Sequence, residues 1–331
     1  MDATTQDSPL FLSASALARL LTPRACRDAL AQAYADLAED PDCAAQSVAF
    51  ALADGSIHVK ASVAPKTHDC FAAKINVNLP GNPMRGLPTI QGLVVLMDAR
   101  TGAPLAVMDS AELTARRTAA ATALAATFGA RVDSRRAALI GCGKQAGYQA
   151  EALMDALPGL KHWRLFDLDA ARAAALVEEL RRGGGVAAEM VGSLEDAVRD
   201  ADVCITCTTA TAPYLAPRHL RAGCFVAGVG ADNPAKSEIA PECFAGARIL
   251  TDDLDQAFAY GDLAHAMQAG TASRESVHAT LADLASGRRQ GRASVAETVI
   301  FDSTGSGLQD LAAAKVAYRL AAASERPITM R

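Results

Sequence analysis

The sequence predicts an α/β protein with two domains, and three observations support this fold class. The chain has 331 residues, which exceeds a single domain of about 100 to 200 residues. Strands alternate with helices from residue 137 onward, a pattern typical of a parallel sheet with helices on both faces. Short extended segments follow one another between residues 46 and 98, which favours an antiparallel sheet in the first part of the chain.

The first part is predicted to begin with two helices, because apolar residues recur at helical spacing from Ser13 to Leu37 and Thr22-Pro23 supplies a cap and a first-turn proline. A third helix, rich in Ala and Thr, is predicted from Leu113 to Ala130. Strands are predicted between these helices at residues 46–52, 56–63, 71–77 and 92–98. In the second part we predict strands at 137–141, 163–167, 186–191, 202–206, 225–228 and 248–251, with helices at 144–157, 170–182 and 194–199.

Composition restricts the functions that this chain can have. Half of the residues are apolar, 21% are charged and the formal net charge is −5, without a basic block that could neutralise phosphates, so no nucleic-acid partner is expected. The acidic N-terminus, Met1 to Asp7, gives no export signal, and no segment approaches the ~18 apolar residues of a membrane span. Eight scattered cysteines favour reduced thiols, and we expect a soluble cytoplasmic protein.

Local spacing gives no indication of a metal site. Cys204 and Cys207 have the spacing of a redox or metal pair, but they lie in a predicted core strand and have no second pair, which favours a buried structural pair. The six histidines show no H-x-x-x-H spacing. We therefore expect no metal.

The segment Gly141-Cys142-Gly143-Lys144-Gln145-Ala146 has a G-x-G-x-x-A pattern, directly after a predicted strand and at the start of a predicted helix. In that context the first glycine permits a tight turn, Gly143 lets a pyrophosphate approach the backbone, and Ala146 keeps the helix close to the strand. The segment therefore predicts a Rossmann-type dinucleotide site. The alternative is a tight turn without a ligand.

Asp167 ends the next predicted strand, 26 positions beyond Gly141, where an acid can bind ribose hydroxyls and repel a 2′-phosphate. This favours NAD as the cofactor, with NADP as the alternative. Asp167 could instead cap the following helix, although Asp169 is the better candidate for that role. Thr208 follows the predicted strand at 202–206, and we expect it to line the same cleft.

Further segments form a series along the chain. They are Lys74-Ile75-Asn76-Val77-Asn78-Leu79-Pro80-Gly81-Asn82-Pro83, Gly86-Leu87-Pro88-Thr89, Pro104-Leu105-Ala106-Val107-Met108-Asp109, Leu113-Thr114-Ala115-Arg116-Arg117-Thr118-Ala119-Ala120, Val229-Gly230-Ala231-Asp232, Val277-His278-Ala279-Thr280 and Ile300-Phe301-Asp302-Ser303-Thr304-Gly305. In composition and order they resemble the ornithine cyclodeaminase/mu-crystallin family, from about Lys74 to Tyr318.

The resemblance implies a homodimer in which residues 1–116 with 300–331 form an α+β domain for substrate binding and dimerisation, and residues 117–299 form a Rossmann dinucleotide-binding domain. It also implies an NAD(P)-dependent oxidoreductase that passes hydride between nicotinamide and the carbon bearing the nitrogen of a small amino or imino acid, as an imine reductase or an amino-acid dehydrogenase. Two alternatives stay open: a lyase of the ornithine cyclodeaminase type with tightly bound NAD, and a non-catalytic, crystallin-like protein that binds NAD(P) or another small molecule.

A substrate carboxylate requires fixed cations, and the sequence offers two. Lys74 lies in an otherwise apolar predicted strand, where an unpaired ammonium would be costly to bury, although an edge-strand lysine that faces solvent is the alternative. The resemblance implies that Lys74 binds the substrate carboxylate and takes part in proton transfer, and that Arg117 bridges this carboxylate and the cofactor phosphates. We expect Arg117 and Thr118 to open the third helix.

By the same resemblance, Asp232 is the catalytic acid and Thr89 lies near substrate and cofactor. Asp232 could instead form an Asx turn with Asn233-Pro234, and the Thr89 hydroxyl could bond only to backbone. Further cofactor contacts implied by the resemblance are Val229, Gly230, Ser303 and Gly305.

The chain departs from the family near its first sheet strand. Where many relatives carry a basic residue after a Pro-Pro or Pro-x pair, this chain has Cys43-Ala44-Ala45-Gln46. His58 falls near the position where ornithine cyclodeaminase has a glutamate for the distal amine of its substrate, so the sequence disfavours ornithine cyclisation. We expect His58 or Lys60 to supply the missing cation, unless His58 faces water on the outer side of its strand.

Overall fold

The computed structural model describes residues 8–43, 45–183 and 185–324. The segment Met1 to Asp7, on which the expected absence of an export signal depends, lies outside these residues, as does Ala44. The chain divides into two compact units. Unit 1 comprises the residues up to Arg117 together with those from Ser306 onward, and unit 2 runs from Thr118 to Gly305.

The helices and strands follow one another in an order that changes character at Arg136. The first elements are β1 (Leu10–Leu12), α1 (Ala14–Leu20), α2 (Pro23–Glu39), β2 (Gln46–Leu52), β3 (Gly55–Val63), β4 (Cys70–Asn78), β5 (Ile90–Asp98), β6 (Pro104–Asp109) and α3 (Ser110–Gly129). Then come β7 (Arg136–Ile140), α4 (Lys144–Ala156), β8 (His162–Phe166), α5 (Ala170–Gly183), β9 (Ala187–Met190), α6 (Leu194–Val198), β10 (Val203–Thr206) and β11 (Phe225–Gly228). The last elements are β12 (Arg248–Thr251), α7 (Leu254–Ala259), α8 (Asp262–Gln268), β13 (Val277–Thr280), α9 (Leu281–Ala285), β14 (Val299–Asp302) and α10 (Gly307–Ser324).

Unit 1 contains a six-stranded sheet in the order β1-β6-β5-β4-β3-β2. All neighbours are antiparallel except the pair of β1 and β6. α10 packs against this sheet and against α2. Along β4 the side chains alternate, since Cys70, Ala72 and Lys74 are buried whereas Ile75 is exposed. We refer to the face that carries Ile75 as the outer face.

Unit 2 contains an eight-stranded parallel sheet in the order β13-β12-β14-β11-β10-β7-β8-β9. Its central strands are buried on both sides, and β10, β11 and β14 have no exposed residue. Continuous apolar strands of this kind are typical of parallel sheets with covered faces. The predicted α/β fold class is therefore confirmed. Within the described part of the chain, no helix has the length and apolar character needed to cross a bilayer.

Four strands were absent from the sequence-based prediction: β1, β6, β13 and β14. They are short, and their extended conformation depends on partners far along the chain, such as the pairing of β14 with both β11 and β12. Because β14 belongs to the sheet of unit 2, residues 300–305 lie with that sheet, whereas we expected them in the first domain. The boundary between the units falls after Gly305.

Candidate active site

We refer to the segment from Gly141 to Ala146, which follows β7, as the glycine loop. It lies where the strand order of unit 2 reverses, because β8 and β9 lie on one side of β7, whereas β10 and β11 lie on the other side. In doubly wound sheets, ligands bind outside the carboxyl ends of the strands at this reversal. A cavity of about 660 Å³ lies there, and its lining includes Gly141, Gly143, Asp167, Cys207 and Thr208. We refer to it as the glycine-loop cavity. The structure thus brings together four residues that the sequence predicted for the cofactor.

The glycine loop has the conformation that a pyrophosphate requires. Gly141 has a φ of +89°, and a Cβ at this position would lie 2.7 Å from Thr208 Cγ2. Gly143 is the N-cap of α4 and has no side-chain cap, and no atom lies within 4 Å of the position that its Cβ would take. The space beside Gly143 can therefore take an anion at the start of the helix, whose first residues are Lys144 and Gln145. Ala146 is fully buried, as close packing of helix and strand requires.

Asp167 contributes a carboxylate to the wall of this cavity. Its Oδ2 accepts a hydrogen bond from the backbone N–H of Cys142 at 2.6 Å, and its Oδ1 accepts one from the N–H of Asp169 at 2.8 Å. A carboxylate offers about four lone-pair positions, so about two remain for ribose hydroxyls. Asp169 takes the capping role, because its Oδ1 accepts the N–H of Ala171 at 3.0 Å in the first turn of α5. The residues present therefore fit a dinucleotide.

A buried glutamate that the sequence analysis missed joins the loops around the cavity. Glu238 is fully buried, and its Oε1 accepts hydrogen bonds from the N–H and the hydroxyl of Thr208 at 2.6 and 2.7 Å and from Tyr214 Oη at 3.0 Å. Its Oε2 accepts from Thr206 Oγ1 at 2.9 Å and from the N–H of Gly230 at 2.7 Å. The carboxylate thus fixes the loop after β10 to the loop after β11. No local motif indicates this role, because 30 positions separate Glu238 from Thr208.

A second acid, Asp252, holds the loop that follows β14. Its carboxylate accepts hydrogen bonds from the N–H and the hydroxyl of Thr304 at 3.0 and 2.8 Å and from the N–H of Gly305 at 2.7 Å. The N–H of Ser303 donates to the carbonyl of Gly228 at 2.9 Å. Ser303 and Gly305 are therefore held beside the end of β11, where the chain continues into Val229 and Gly230.

Asp232 lies in the loop after β11, and its side chain is 56% exposed. Its Oδ1 accepts hydrogen bonds from Lys236 Nζ at 2.7 Å and from Asn233 Nδ2 at 3.2 Å. The Asx turn of this loop belongs to Asn233, whose Oδ1 accepts the N–H of Ala235 at 3.0 Å. The Asp232 carboxylate is therefore accessible to a ligand and has an ammonium beside it.

Lys74 of β4 lies in the middle of the sheet of unit 1, and only 4% of the residue is exposed. The alternative of a solvent-facing edge lysine is therefore excluded. Its Nζ lies 2.9 Å from Asp310 Oδ2 and donates hydrogen bonds to Asp310 Oδ1 at 3.0 Å and to Thr114 Oγ1 at 3.2 Å. Burial, and then the positive charge of Arg117, lower the pKa of Lys74 to about 7, although Asp310 opposes both effects.

Arg117 joins Lys74 at the same carboxylate, and we refer to these two residues as the cation pair. The guanidinium is buried, with Nε donating to Asp310 Oδ1 at 2.9 Å and Nη1 donating to Gln309 Oε1 at 2.6 Å. The expectation that Arg117 and Thr118 open the third helix was wrong, since α3 begins at Ser110. The reason is a side-chain cap, because Asp109 Oδ1 accepts the N–H of Glu112 at 2.8 Å.

Asp310 is the central anion of this cluster, and the sequence analysis missed it. It is 1% exposed and lies in the first turn of α10. Burial alone would raise its pKa, but Lys74 and Arg117 together hold the pKa of this carboxyl below its usual value. In the sequence Asp310 lies close to Leu308 and Leu311, which are both buried. A carboxylate among buried apolar residues indicates a buried cation as its partner. Its partner on β4 lies 236 positions away, so spacing alone could not identify the pair.

The remaining predicted substrate contacts lie on or near the same sheet. Lys60 is directly opposite Lys74 in the pairing of β3 with β4, and its charge contributes to the lowered pKa of Lys74. His58 lies on the same face, half-buried, with its Nε2 2.7 Å from Ser56 Oγ. Gln46 pairs with Ala61 and therefore belongs to the outer face. Thr89 is half-buried and lies just before β5. Its backbone carbonyl accepts a hydrogen bond from the N–H of Leu79 at 2.8 Å.

The two cysteines with metal or redox spacing separate in the structure. Cys204 is fully buried, whereas Cys207 is only half-buried and borders the glycine-loop cavity. The thiol of Cys207 donates a hydrogen bond to the carbonyl of Gly141 at 3.1 Å. The expected buried structural pair therefore holds for Cys204 but not for Cys207.

The strand order and the glycine loop define a two-domain α/β protein of the Rossmann type, the class in which this sheet edge binds dinucleotides. The family model described as ornithine cyclodeaminase/mu-crystallin family matches residues 10–325. The chain therefore belongs to the ornithine cyclodeaminase/mu-crystallin family, as the series of segments predicts.

Relatives with named activities extend over most of the chain. The chain is 39% identical over 246 residues to alanine dehydrogenase from Archaeoglobus fulgidus, which covers 72% of this chain and 73% of that protein. Among solved structures, an archaeal alanine dehydrogenase dimer with bound NAD superposes with a TM-score of 0.88 at 32% identity, over 98% of this chain and 99% of the other. Δ(1)-Pyrroline-2-carboxylate reductase of Thermococcus litoralis, in complex with NADH and L-proline, superposes with a TM-score of 0.87 at 27% identity, over 95% and 98%.

Proposed function

We propose that the protein is an NAD-dependent oxidoreductase that acts on the C–N bond of a small amino or imino acid. The observation that carries the proposal is the cation pair, whose two buried positive charges share one carboxylate. Asp310 can balance only one of these two charges, so the second is suited to a substrate carboxylate. The named activities of the relatives, alanine dehydrogenase and Δ(1)-pyrroline-2-carboxylate reductase, support the reaction class.

NAD would be held by the glycine loop and by Asp167, whose negative charge opposes the 2′-phosphate of NADP. When bound, it supplies or accepts the hydride. Glu238 and Asp252 would keep the surrounding loops in place, because each accepts hydrogen bonds from several of their donors. The further proposed cofactor contacts are Arg117, Thr118, Thr208, Val229, Gly230, Ser303 and Gly305.

Lys74 and Arg117 would orient the substrate by its carboxylate. Lys74 can also exchange a proton, since a pKa of about 7 is well matched to proton transfer at neutral pH. Asp232 is the proposed acid at the substrate nitrogen, where a carboxylate stabilises positive charge. Thr89, His58 and Lys60 are proposed to complete the substrate contacts, with Lys60 adding a third cation to the face that carries Lys74.

We also propose that the protein is a homodimer that covers the outer face of the six-stranded sheet. Val48, Val59, Ile75 and Leu93 form one cross-strand row on this face. Three of these side chains are exposed, Val48 by 48%, Ile75 by 43% and Leu93 by 52%. A contiguous apolar surface of this kind marks an interaction site. The similar archaeal alanine dehydrogenase is described as a dimer.

The cysteines support a cytoplasmic location. All eight are free thiols, and six of them are buried. Unpaired thiols persist in a reducing compartment, whereas exported proteins tend to oxidise them. We therefore propose that the protein acts in the cytoplasm.

Absorbance of NADH during turnover tests the proposed reaction. Purified protein would be supplied with NADH and Δ(1)-pyrroline-2-carboxylate or pyruvate with ammonia, and in the reverse direction with NAD and L-proline or L-alanine. We expect a steady change in absorbance with at least one of these substrates. Ammonia release from ornithine without an absorbance change would instead establish the cyclodeaminase alternative. Binding of NADH without turnover of any substrate would favour the non-catalytic alternative.

Lys74→Met and Lys315→Met form a matched pair for the cation site. Both replace a lysine that pairs with an aspartate, but Lys315 is only partly buried and pairs with Asp69. Lys74→Met should lower kcat/KM by about 100-fold or more, since positioned proton transfer alone contributes about 10²- to 10⁴-fold. Lys315→Met should retain activity. Equal activity of the two variants would remove Lys74 from the mechanism.

A further inference from the structure

A separate group of reactive side chains lies in unit 1, at the end of α2 and in the loop between β3 and β4. Asp40 follows α2, Cys43 ends a short 3-10 turn, and His68 lies in the loop. His68 Nε2 lies 2.6 Å from Asp40 Oδ2 and 3.2 Å from Cys43 Sγ, and that sulfur lies 3.3 Å from the same carboxylate oxygen. None of the three belongs to the cation pair or to the lining of the glycine-loop cavity.

Three donor atoms of different chemistry thus converge on one point. Sγ and Oδ2 both contact the same ring nitrogen, so the cluster is not a cysteine–histidine–aspartate relay, which uses the two nitrogens of the ring separately. One proton on that nitrogen can serve only one of the two neighbours fully. A cation with several coordination positions can bind all three atoms at once.

We propose that Asp40, Cys43 and His68 bind a divalent transition-metal ion of the zinc class, with one coordination position left to water. Imidazole nitrogen, thiolate and carboxylate are the ligands that zinc takes in proteins, and sites with three protein ligands keep the fourth position open. The side chain of His68 is 60% exposed and that of Asp40 is 25% exposed, so an ion can reach the site from solvent. This inference does not depend on the proposed oxidoreductase activity.

The distances approach those of a tetrahedral site. Bonds of about 2.1 Å from zinc to nitrogen and oxygen and about 2.3 Å to sulfur place neighbouring ligand atoms about 3.4 to 3.6 Å apart. The two distances to Cys43 Sγ, 3.2 and 3.3 Å, are already close to this. The distance between His68 and Asp40 has to increase from 2.6 Å to about 3.4 Å, which a rotation of the exposed ring can provide.

The loop that carries His68 is anchored to the site itself. The N–H of Lys66 donates to Asp40 Oδ2 at 2.9 Å, and the N–H of His68 donates to the carbonyl of Ala64 at 2.9 Å. Lys66 and His68 have φ values of +61° and +46°, a conformation that residues with side chains rarely adopt. These contacts hold the imidazole toward Asp40 and Cys43, as outer contacts orient the ligands of metal sites.

Metal binding at this site exchanges a proton for an ion. The metal forms a bond to the sulfur of Cys43, and the proton of the thiol passes to solvent. Asp40 and the neutral imidazole of His68, with its proton on Nδ1, contribute lone pairs, and no electron is transferred. The thiol proton is released for each ion that binds, and an imidazolium at His68 would release a second.

Cobalt(II) added alone to the full chain is a direct probe, because a cobalt–thiolate bond absorbs in the near ultraviolet and tetrahedral cobalt absorbs in the visible range. We expect one cobalt ion per chain with both absorptions. Zinc should displace it and remove both absorptions, since a tetrahedral ligand set that contains a thiolate is the kind of site that zinc prefers. A chain that shows no thiolate absorption with cobalt overturns the proposal.

Substitutions locate the site. Cys43→Ser should abolish the near-ultraviolet absorption, and His68→Gln should weaken cobalt binding by about 100-fold or more, because even changes outside the ligand set cost about 10- to 100-fold. Cys70→Ser alters the neighbouring thiol and is the matched control, which should keep both absorptions. Circular dichroism verifies that each variant is folded. If Cys43→Ser keeps the absorption, the cluster is only a histidine–aspartate ion pair and the metal site is rejected.

Discussion

Replacement of Asp310 by Asn tests whether one carboxylate holds both buried cations of unit 1. The side-chain volume stays the same, but a negative charge 2.9 Å from Lys74 Nζ and 2.9 Å from Arg117 Nε is removed. At an effective dielectric constant of about 20, each attraction is about 6 kcal/mol before desolvation is subtracted. Removal of one partner from a buried ion pair has a net cost of about 3 to 5 kcal/mol, and we expect the free energy of unfolding to fall by this amount.

The loss should depend on pH, because the two cations respond differently. A guanidinium stays charged throughout the accessible pH range. The pKa of Lys74, in contrast, is about 7 in the folded chain against a usual value of 10.5. Between these values the unfolded chain binds more protons, so the contribution of Lys74 to stability rises with pH. In Asp310→Asn the pKa of Lys74 falls further, because Asp310 raises it, and each tenfold loss of proton affinity costs about 1.4 kcal/mol at low pH. The deficit should therefore be larger at about pH 6 than at about pH 9.

Urea unfolding followed by circular dichroism measures this deficit, since the single tryptophan, Trp163, lies in unit 2 and does not report on unit 1. Asp69→Asn is the control, because Asp69 pairs with Lys315 of α10 at 2.8 Å but the two side chains are 36% and 31% exposed. Its loss should be about 1 kcal/mol or less, as for exposed pairs. The free energy of unfolding of Asp310→Asn should fall by more than this and by more at about pH 6 than at about pH 9. If either expectation fails, Asp310 is not the shared counterion of Lys74 and Arg117.

Three further substitutions test the other parts of the proposal. Glu238→Gln places an amide N–H against the backbone N–H of either Thr208 or Gly230, so NAD binding measured by calorimetry should weaken by about 10-fold or more. The control Glu242→Gln changes an exposed glutamate and should bind NAD as the parent does. Asp167→Ser should reduce the preference for NAD over NADP in the same measurement, and a parent that already binds NADPH better would contradict the role of Asp167. Leu93→Glu should give a monomer in sedimentation velocity, and a variant that remains dimeric would show that the outer face is not the interface.

Elements with local patterns were predictable from the sequence. The strands at Gln46–Leu52, Phe225–Gly228 and Arg248–Thr251 have the predicted bounds, because apolar runs between turn residues specify a strand without reference to its neighbours. β1 could not be found in this way, since three residues carry too little pattern and their extended conformation comes from pairing with β6. The start of α3 was misplaced because Asp109, which caps it, also ends a strand.

The candidate site shows the same difference between residues with a local signal and residues whose role depends on the fold. Lys74 was identified because a cation in an apolar strand is anomalous by itself, and the structure places it among buried partners. Asp310 and Glu238 could not be assigned, because each acts through residues that only the fold brings near. The cluster of Asp40, Cys43 and His68 could not be predicted for the same reason, since His68 lies 25 positions beyond Cys43 and only the fold brings the two together. Sequence patterns thus identify groups that are unusual locally, whereas the fold determines their partners.

The charge balance of unit 1 would link binding of the proposed substrate to proton uptake. Lys74 and Arg117 bring two positive charges to the single carboxylate of Asp310, and burial, followed by the positive charge of Arg117, lowers the pKa of Lys74 to about 7. A substrate carboxylate beside the cation pair would supply a second negative charge and raise that pKa. Above about pH 7, a carboxylate ligand such as L-proline should therefore take up a proton as it binds, whereas its amide should not. Calorimetry in buffers of different ionisation enthalpy separates these cases, and equal proton uptake with both ligands would mean that the carboxylate does not meet Lys74.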